Sequence, residues 1–153
     1  MASIDRSDPV ILGHVLAEHR DLFKLMTTVR AAFATTAIPT PAHRDSLIAA
    51  LRDLRTHLAA HFVQEERGGF LEESVARMPR LSKRVRAILD QHPDLLAELD
   101  RTIEGLQSAS FGPAAWARAD HAFGAFTEHM TAHERSENSV VQEGYNEDLG
   151  LVE

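Results

Sequence analysis

The sequence predicts an all-α fold, an up-down-up-down antiparallel four-helix bundle with a short extra helix between helices 2 and 3. Three observations predict it. Four stretches carry apolar residues at alternating steps of three and four, which keeps one face of each helix on a common seam. Proline opens these stretches, twice behind a capping residue, and glycine closes two of them. No segment alternates with a period of two, so no sheet is expected.

The first helix is expected over about 9–36, with Asp8 as N-cap and Pro9 in its first turn. Its stripe is Leu12, Val15, His19, Leu22, Met26, Val29 and Phe33. A turn over 37–41 leads to the second helix, about 41–67, capped by Thr40 and ended by Gly68 and Gly69. Leu47, Leu51, Leu54, Leu58, His61 and Glu65 form its stripe. Residues 70–78 hold the short extra helix. The third long helix, about 79–107, opens at Pro79 and carries Leu81, Val85, Ile88, His92, Leu95, Leu99, Thr102 and Leu106. Pro93 lies inside it, removing a backbone hydrogen bond and crowding residue 89, so a kink is expected there. The fourth, about 113–143, opens at Pro113 and ends at Gly144. Its stripe is Trp116, Ala119, Phe123, Phe126, Met130, His133, Glu137 and Val140. Short connections make neighbouring helices antiparallel. Residues 1–153 read as a single domain with one core.

Composition removes several function classes. A net charge of -7 with no basic face disfavours a nucleic-acid partner. Cysteine is absent, which excludes disulfides, thiolate metal sites and thiol catalysis. No uncharged apolar run approaches the ~18 residues of a membrane span. The N-terminus lacks the apolar stretch of a signal peptide, so a cytoplasmic location is expected.

Thr102 apart, the polar residues on the four stripes are His19, His61, Glu65, His92, His133 and Glu137. Period alone thus selects six residues from nine histidines and 23 acids. They are also written as a repeat. Glu18-His19-Arg20-Asp21-Leu22 is echoed by Gln91-His92-Pro93-Asp94-Leu95, and His57-x-x-x-His61-x-x-x-Glu65 by His129-x-x-x-His133-x-x-x-Glu137. His19 and His61 each lie roughly 26–28 Å along their helices from the turn that joins them, so they share a height. His92 and His133 stand in the same relation to the second hairpin, which places all four histidines in one layer. Each glutamate lies one turn beyond its histidine on the same face.

Two carboxylates in a buried layer need compensation, since burying one ion costs several kcal/mol even after relaxation. Neutral imidazoles cannot offset them; two divalent cations can, and imidazole with carboxylate suits iron, zinc or manganese. The expected arrangement gives each metal two histidines, with both glutamates bridging, and leaves coordination positions open. His57 and His129 stand one position off the seam and are candidate flanking ligands or partners of the ligands. Glu66 and Glu134, adjacent to the layer, read as solvated charges, with an inward bend of Glu66 at the Gly68-Gly69 end as the alternative. His14, His43 and His121 read as surface or border histidines.

At these residues the chain resembles the hemerythrin-like (HHE cation-binding) family. The resemblance runs from about Asp8 to Gly150. Glu18-His19-x-x-Leu22, His61-Phe62-x-x-Glu65-Glu66, Gln91-His92-x-x-Leu95 and His133-Glu134-x-x-Glu137-Asn138 carry it. It implies a four-helix bundle around a carboxylate-bridged non-haem centre of two Fe ions, with the same six residues as ligands. The oxygen carriers of that family have a further histidine on the third helix, where this chain has Ile88 and Leu96 around His92, and their last carboxylate is an aspartate spaced five after its histidine. The chain therefore looks like the more symmetric bacterial type. The leading expectation is a protein that binds or senses a small diatomic ligand, dioxygen or nitric oxide, rather than a dedicated enzyme. The alternatives are a di-iron oxidase or a peroxide- or nitric-oxide-consuming enzyme, and an iron or zinc storage or buffering protein.

Overall fold

The computed structural model describes the backbone of residues 9–67 and 69–152, and the side chains of 19–67, 69 and 71–144. Asp8, Gly68 and the side chains of Leu12, His14, Val15 and Glu18 lie outside the described residues. The elements in order are α1 (Pro9–Ala34), α2 (Pro41–Glu66), α3 (Phe70–Arg77), a 3-10 turn (Pro79–Leu81), α4 (Ser82–Gln107) and α5 (Pro113–Val152). No strand occurs among the described residues, and no helix there is long and apolar enough to cross a membrane.

Local chemistry accounts for the boundaries. The Thr40 hydroxyl accepts from the His43 backbone N–H at 3.3 Å, and His43 Nδ1 accepts from the Thr40 N–H at 3.0 Å. This reciprocal cap satisfies two donors that the first turn of α2 would otherwise orphan. It also gives His43 a job in the helix start. Pro79 opens the 3-10 turn, so α4 begins three residues later than expected, at Ser82. α4 runs unbroken through Pro93, whose ring faces solvent.

The fourth long helix departs from expectation. Gly144 does not end it, and α5 continues to Val152. A Cβ at Gly144 would stand 3.1 Å from Ser74 Cβ on α3. The glycine is there for close approach of two helices, not for a left-handed cap.

The core has two apolar parts with a polar layer between them. One gathers Leu22 to Phe33, Leu47 to Phe62, Leu95 to Leu106 and Trp116 to Met130. The other holds Leu71, Met78, Leu81, Val85, Ile88 and Val140. His92 falls between Ile88 and Leu95 on α4, and His133 and Glu137 between Met130 and Val140 on α5. Contacts between helices run in opposed order. Along α4 and α5, Glu98 meets His129, Gln91 meets His133 and Arg84 meets Glu143. Across α1 and α5, Trp116 Nε1 donates to Phe33 O and Arg30 donates to Thr127.

Candidate metal centre

Four helices bring all six seam residues into one layer. His19 comes from α1, His61 and Glu65 from α2, His92 from α4, and His133 and Glu137 from α5. Ligand atoms of His19, His61, Glu65 and Glu137 lie within 4.8 Å of one another, and so do those of Glu65, His92, His133 and Glu137. The two groups share both glutamates.

The oxygens divide in a regular way. Glu65 turns Oε2 to His61 Nε2 at 3.2 Å and Oε1 to His92 Nε2 at 3.0 Å. Glu137 turns Oε1 to His133 Nε2 at 2.5 Å and Oε2 to His19 Nε2 at 3.9 Å. Each carboxylate therefore reaches from one histidine pair to the other. The rings within a pair are edge to face, with centroids 5.2 Å apart for His19 and His61 and 5.1 Å for His92 and His133. Five of the six are fully buried, and His19 is 12% exposed.

Two histidines have their far nitrogens tied down. His92 Nδ1 donates to Glu66 Oε2 at 2.7 Å, and His133 Nδ1 donates to Gln91 Oε1 at 2.7 Å. With the proton on Nδ1, a neutral ring presents a lone pair at Nε2. Those lone pairs face carboxylate oxygens, which are also lone-pair donors. None of the four oxygens of Glu65 and Glu137 accepts a hydrogen bond among the described residues. Such an array repels itself until something positive sits among its atoms. A proton can serve one contact; a divalent cation serves a whole set.

The titration behaviour follows. Burial, together with the neighbouring Glu65 carboxylate, pushes Glu137 far above the usual carboxyl range. Burial also works against the charge on Glu65, but the close approach of His61, His92 and Glu137 outweighs it and holds Glu65 below that range. In the metal-free chain Glu137 is thus the member of the pair that favours its protonated form. Burial lowers His133 to about 4, which keeps its imidazole neutral.

His57 and His129 do not join either group. Both are exposed, His57 Nδ1 lying 3.1 Å from Asp53 O and His129 Nδ1 2.8 Å from Glu98 Oε1. Other residues gain roles that the sequence reading did not give them. Glu66, half-exposed, anchors His92, and Gln91 anchors His133. Phe62 stacks on the His92 ring at 3.7 Å and 4°, and meets His133 edge-on. Glu134, expected in solvent, is 8% exposed, and burial raises it to about 7. The available signal was adjacency: Phe62, Glu66 and Glu134 each follow a seam residue, and Gln91 precedes one.

Among the described residues, openings reach the layer from two sides. A cleft of about 430 Å³ between α2, α3 and α4 has Glu65 in its wall, and a groove between α4 and α5 has His133 in its wall.

Paired histidines joined by two shared carboxylates inside a helical core define a cation-binding protein. The chain belongs to the hemerythrin HHE cation-binding domain family, which matches residues 10–145. No match was found among curated proteins or among solved structures.

Proposed function

We propose that this chain is a non-haem di-iron protein that binds or senses a small diatomic ligand, dioxygen or nitric oxide. The opposed pairings between its helices support an up-down-up-down bundle as the scaffold. His19 and His61 would hold one ion and His92 and His133 the other, with Glu65 and Glu137 available to both. The observation that carries this reading is the division of the two carboxylates, each with one oxygen toward each histidine pair. Iron held by these residues would supply redox chemistry and open coordination positions for a diatomic ligand. The protein's own part is to orient and exclude. Glu66 and Gln91 fix the tautomers of His92 and His133, so that both rings offer Nε2. Phe62 and the apolar layers above and below keep bulk water away.

The test is anaerobic loading with ferrous iron, elemental analysis, and an optical spectrum before and after dioxygen or nitric oxide. Two irons per chain and a new visible band on ligand addition are expected. Stoichiometric iron with no spectral response to either gas would reduce the reading to metal binding alone.

A further inference from the structure

The openings onto the layer differ in what they meet at their inner ends. In the groove between α4 and α5, the wall residues His133 and Gln91 are already engaged with each other, and His133 Nε2 faces Glu137. In the cleft between α2, α3 and α4 the inner wall is Glu65, which belongs to both groups of converging ligand atoms. Glu65 is 3% exposed, and neither of its oxygens has a hydrogen-bond partner among the described residues. The cleft thus leads to a carboxylate in want of positive charge.

The walls of this cleft are graded. Glu72 of α3 and Asp90 of α4 are exposed, Val75 and Leu89 are half-buried, and Glu65 is buried. Glu66 spans the gradient: its side chain is 46% exposed, yet its Oε2 reaches His92 Nδ1 at 2.7 Å. Four carboxylates line the cleft against one guanidinium, that of Arg86. The side toward α2 and α4 stays open because α3 packs chiefly on α5, where Gly144 lets Ser74 come close.

We propose that the cleft between α2, α3 and α4 is the path by which divalent cations enter and leave the centre, with Glu72 and Asp90 gathering them at the rim and Glu66 handing them to Glu65. The inference rests on the metal-centre reading above. Exposed acids raise the local concentration of a cation at the rim. Carboxylate oxygens further in replace the waters that a hard cation must shed. Glu66 is half-exposed, so it can turn from His92 into the cleft as an ion passes.

Stopped-flow uptake of cobalt(II) by the metal-free chain, and its chelator-driven release, test the path without any assay of activity. The double variant Glu72→Gln with Asp90→Asn should slow uptake on the order of tenfold at low ionic strength, and added salt should shrink the difference. Asp94→Asn with Glu98→Gln makes the same change of charge in the groove between α4 and α5, and should leave uptake close to wild type. Val75→Phe narrows the cleft without altering charge. Uptake and release should then slow by the same factor, with the equilibrium constant unchanged, because an obstacle on a path acts equally in both directions. Unchanged uptake in the Glu72 and Asp90 variant, or slowing in the Asp94 and Glu98 variant instead, would overturn the path while leaving the centre intact. A weaker equilibrium constant in Val75→Phe at an unchanged uptake rate would overturn it as well. Should Val75→Phe fail to fold, the two charge variants decide alone. A wild-type chain that takes up no cobalt would overturn the centre itself, and the path with it.

Discussion

Glu137→Gln should change the metal-free and metal-loaded proteins in opposite senses. In the metal-free chain, burial and Glu65 hold a proton on Glu137, so glutamine replaces a neutral acid of nearly the same shape. The amide also removes the chance of a second charge beside Glu65. Metal-free stability should therefore stay within about 1 kcal/mol of wild type or rise. Loaded protein behaves differently. A ligand at a hundredfold excess over its Kd stabilises the folded state by about 2.7 kcal/mol per site, so two sites contribute roughly 5 kcal/mol. For a chain of this size about 1 kcal/mol corresponds to 2–4 °C, which puts the gap between loaded and metal-free wild type at roughly 10–20 °C. Glu137 faces both histidine pairs, so its loss should weaken both positions and close most of that gap. Differential scanning calorimetry with and without ferrous iron or cobalt(II) reads both effects. The reasoning fails if metal-free Glu137→Gln melts well below wild type, or if wild type shows no gap.

Two further outcomes are expected. Glu66→Ala should lower metal affinity about 10–100-fold by freeing the His92 ring, with little effect on the metal-free fold because the side chain is half-exposed; chelator competition measures it. Metal-free stability should depend on pH through Glu134, whose folded value is raised to about 7 from 4.5. The folded state holds that proton where the unfolded chain has lost it. Its contribution, at most about 3 kcal/mol, is fully present below pH ~4.5 and lost as pH rises through about 7. Urea unfolding across pH 5–8 should show a downward slope with rising pH that Glu134→Gln lessens; an identical slope in the variant would remove Glu134 as its source.

The seam itself was legible because helical period is a local property. His19, His61, Glu65, His92, His133 and Glu137 stood out as polar residues on otherwise apolar stripes, and the structure gathers all six. Residues one step off a stripe were not legible in the same way. His57 and His129 precede the seam and face water, whereas Phe62 and Glu134 follow it and are buried. A step of one residue turns a helix by ~100°, which brings a side chain either to a neighbouring helix or to solvent. Which of the two happens depends on how the helices are rotated against each other. The end of α5 was misread for a related reason. Gly144 has the composition of a helix stop, but its missing Cβ is needed against Ser74.

The sequence by itself determined the helical class, the repeat, and the six side chains that share a layer, because each follows from spacing along one strand of chain. Tertiary packing alone decided how each carboxylate divides its oxygens between histidine pairs, which side chains hold the imidazoles, and that Phe62 stacks on His92 while Glu134 is buried. Those are relations between helices distant in sequence. They depend on helix rotation and separation at the scale of an ångström, which periodicity does not encode.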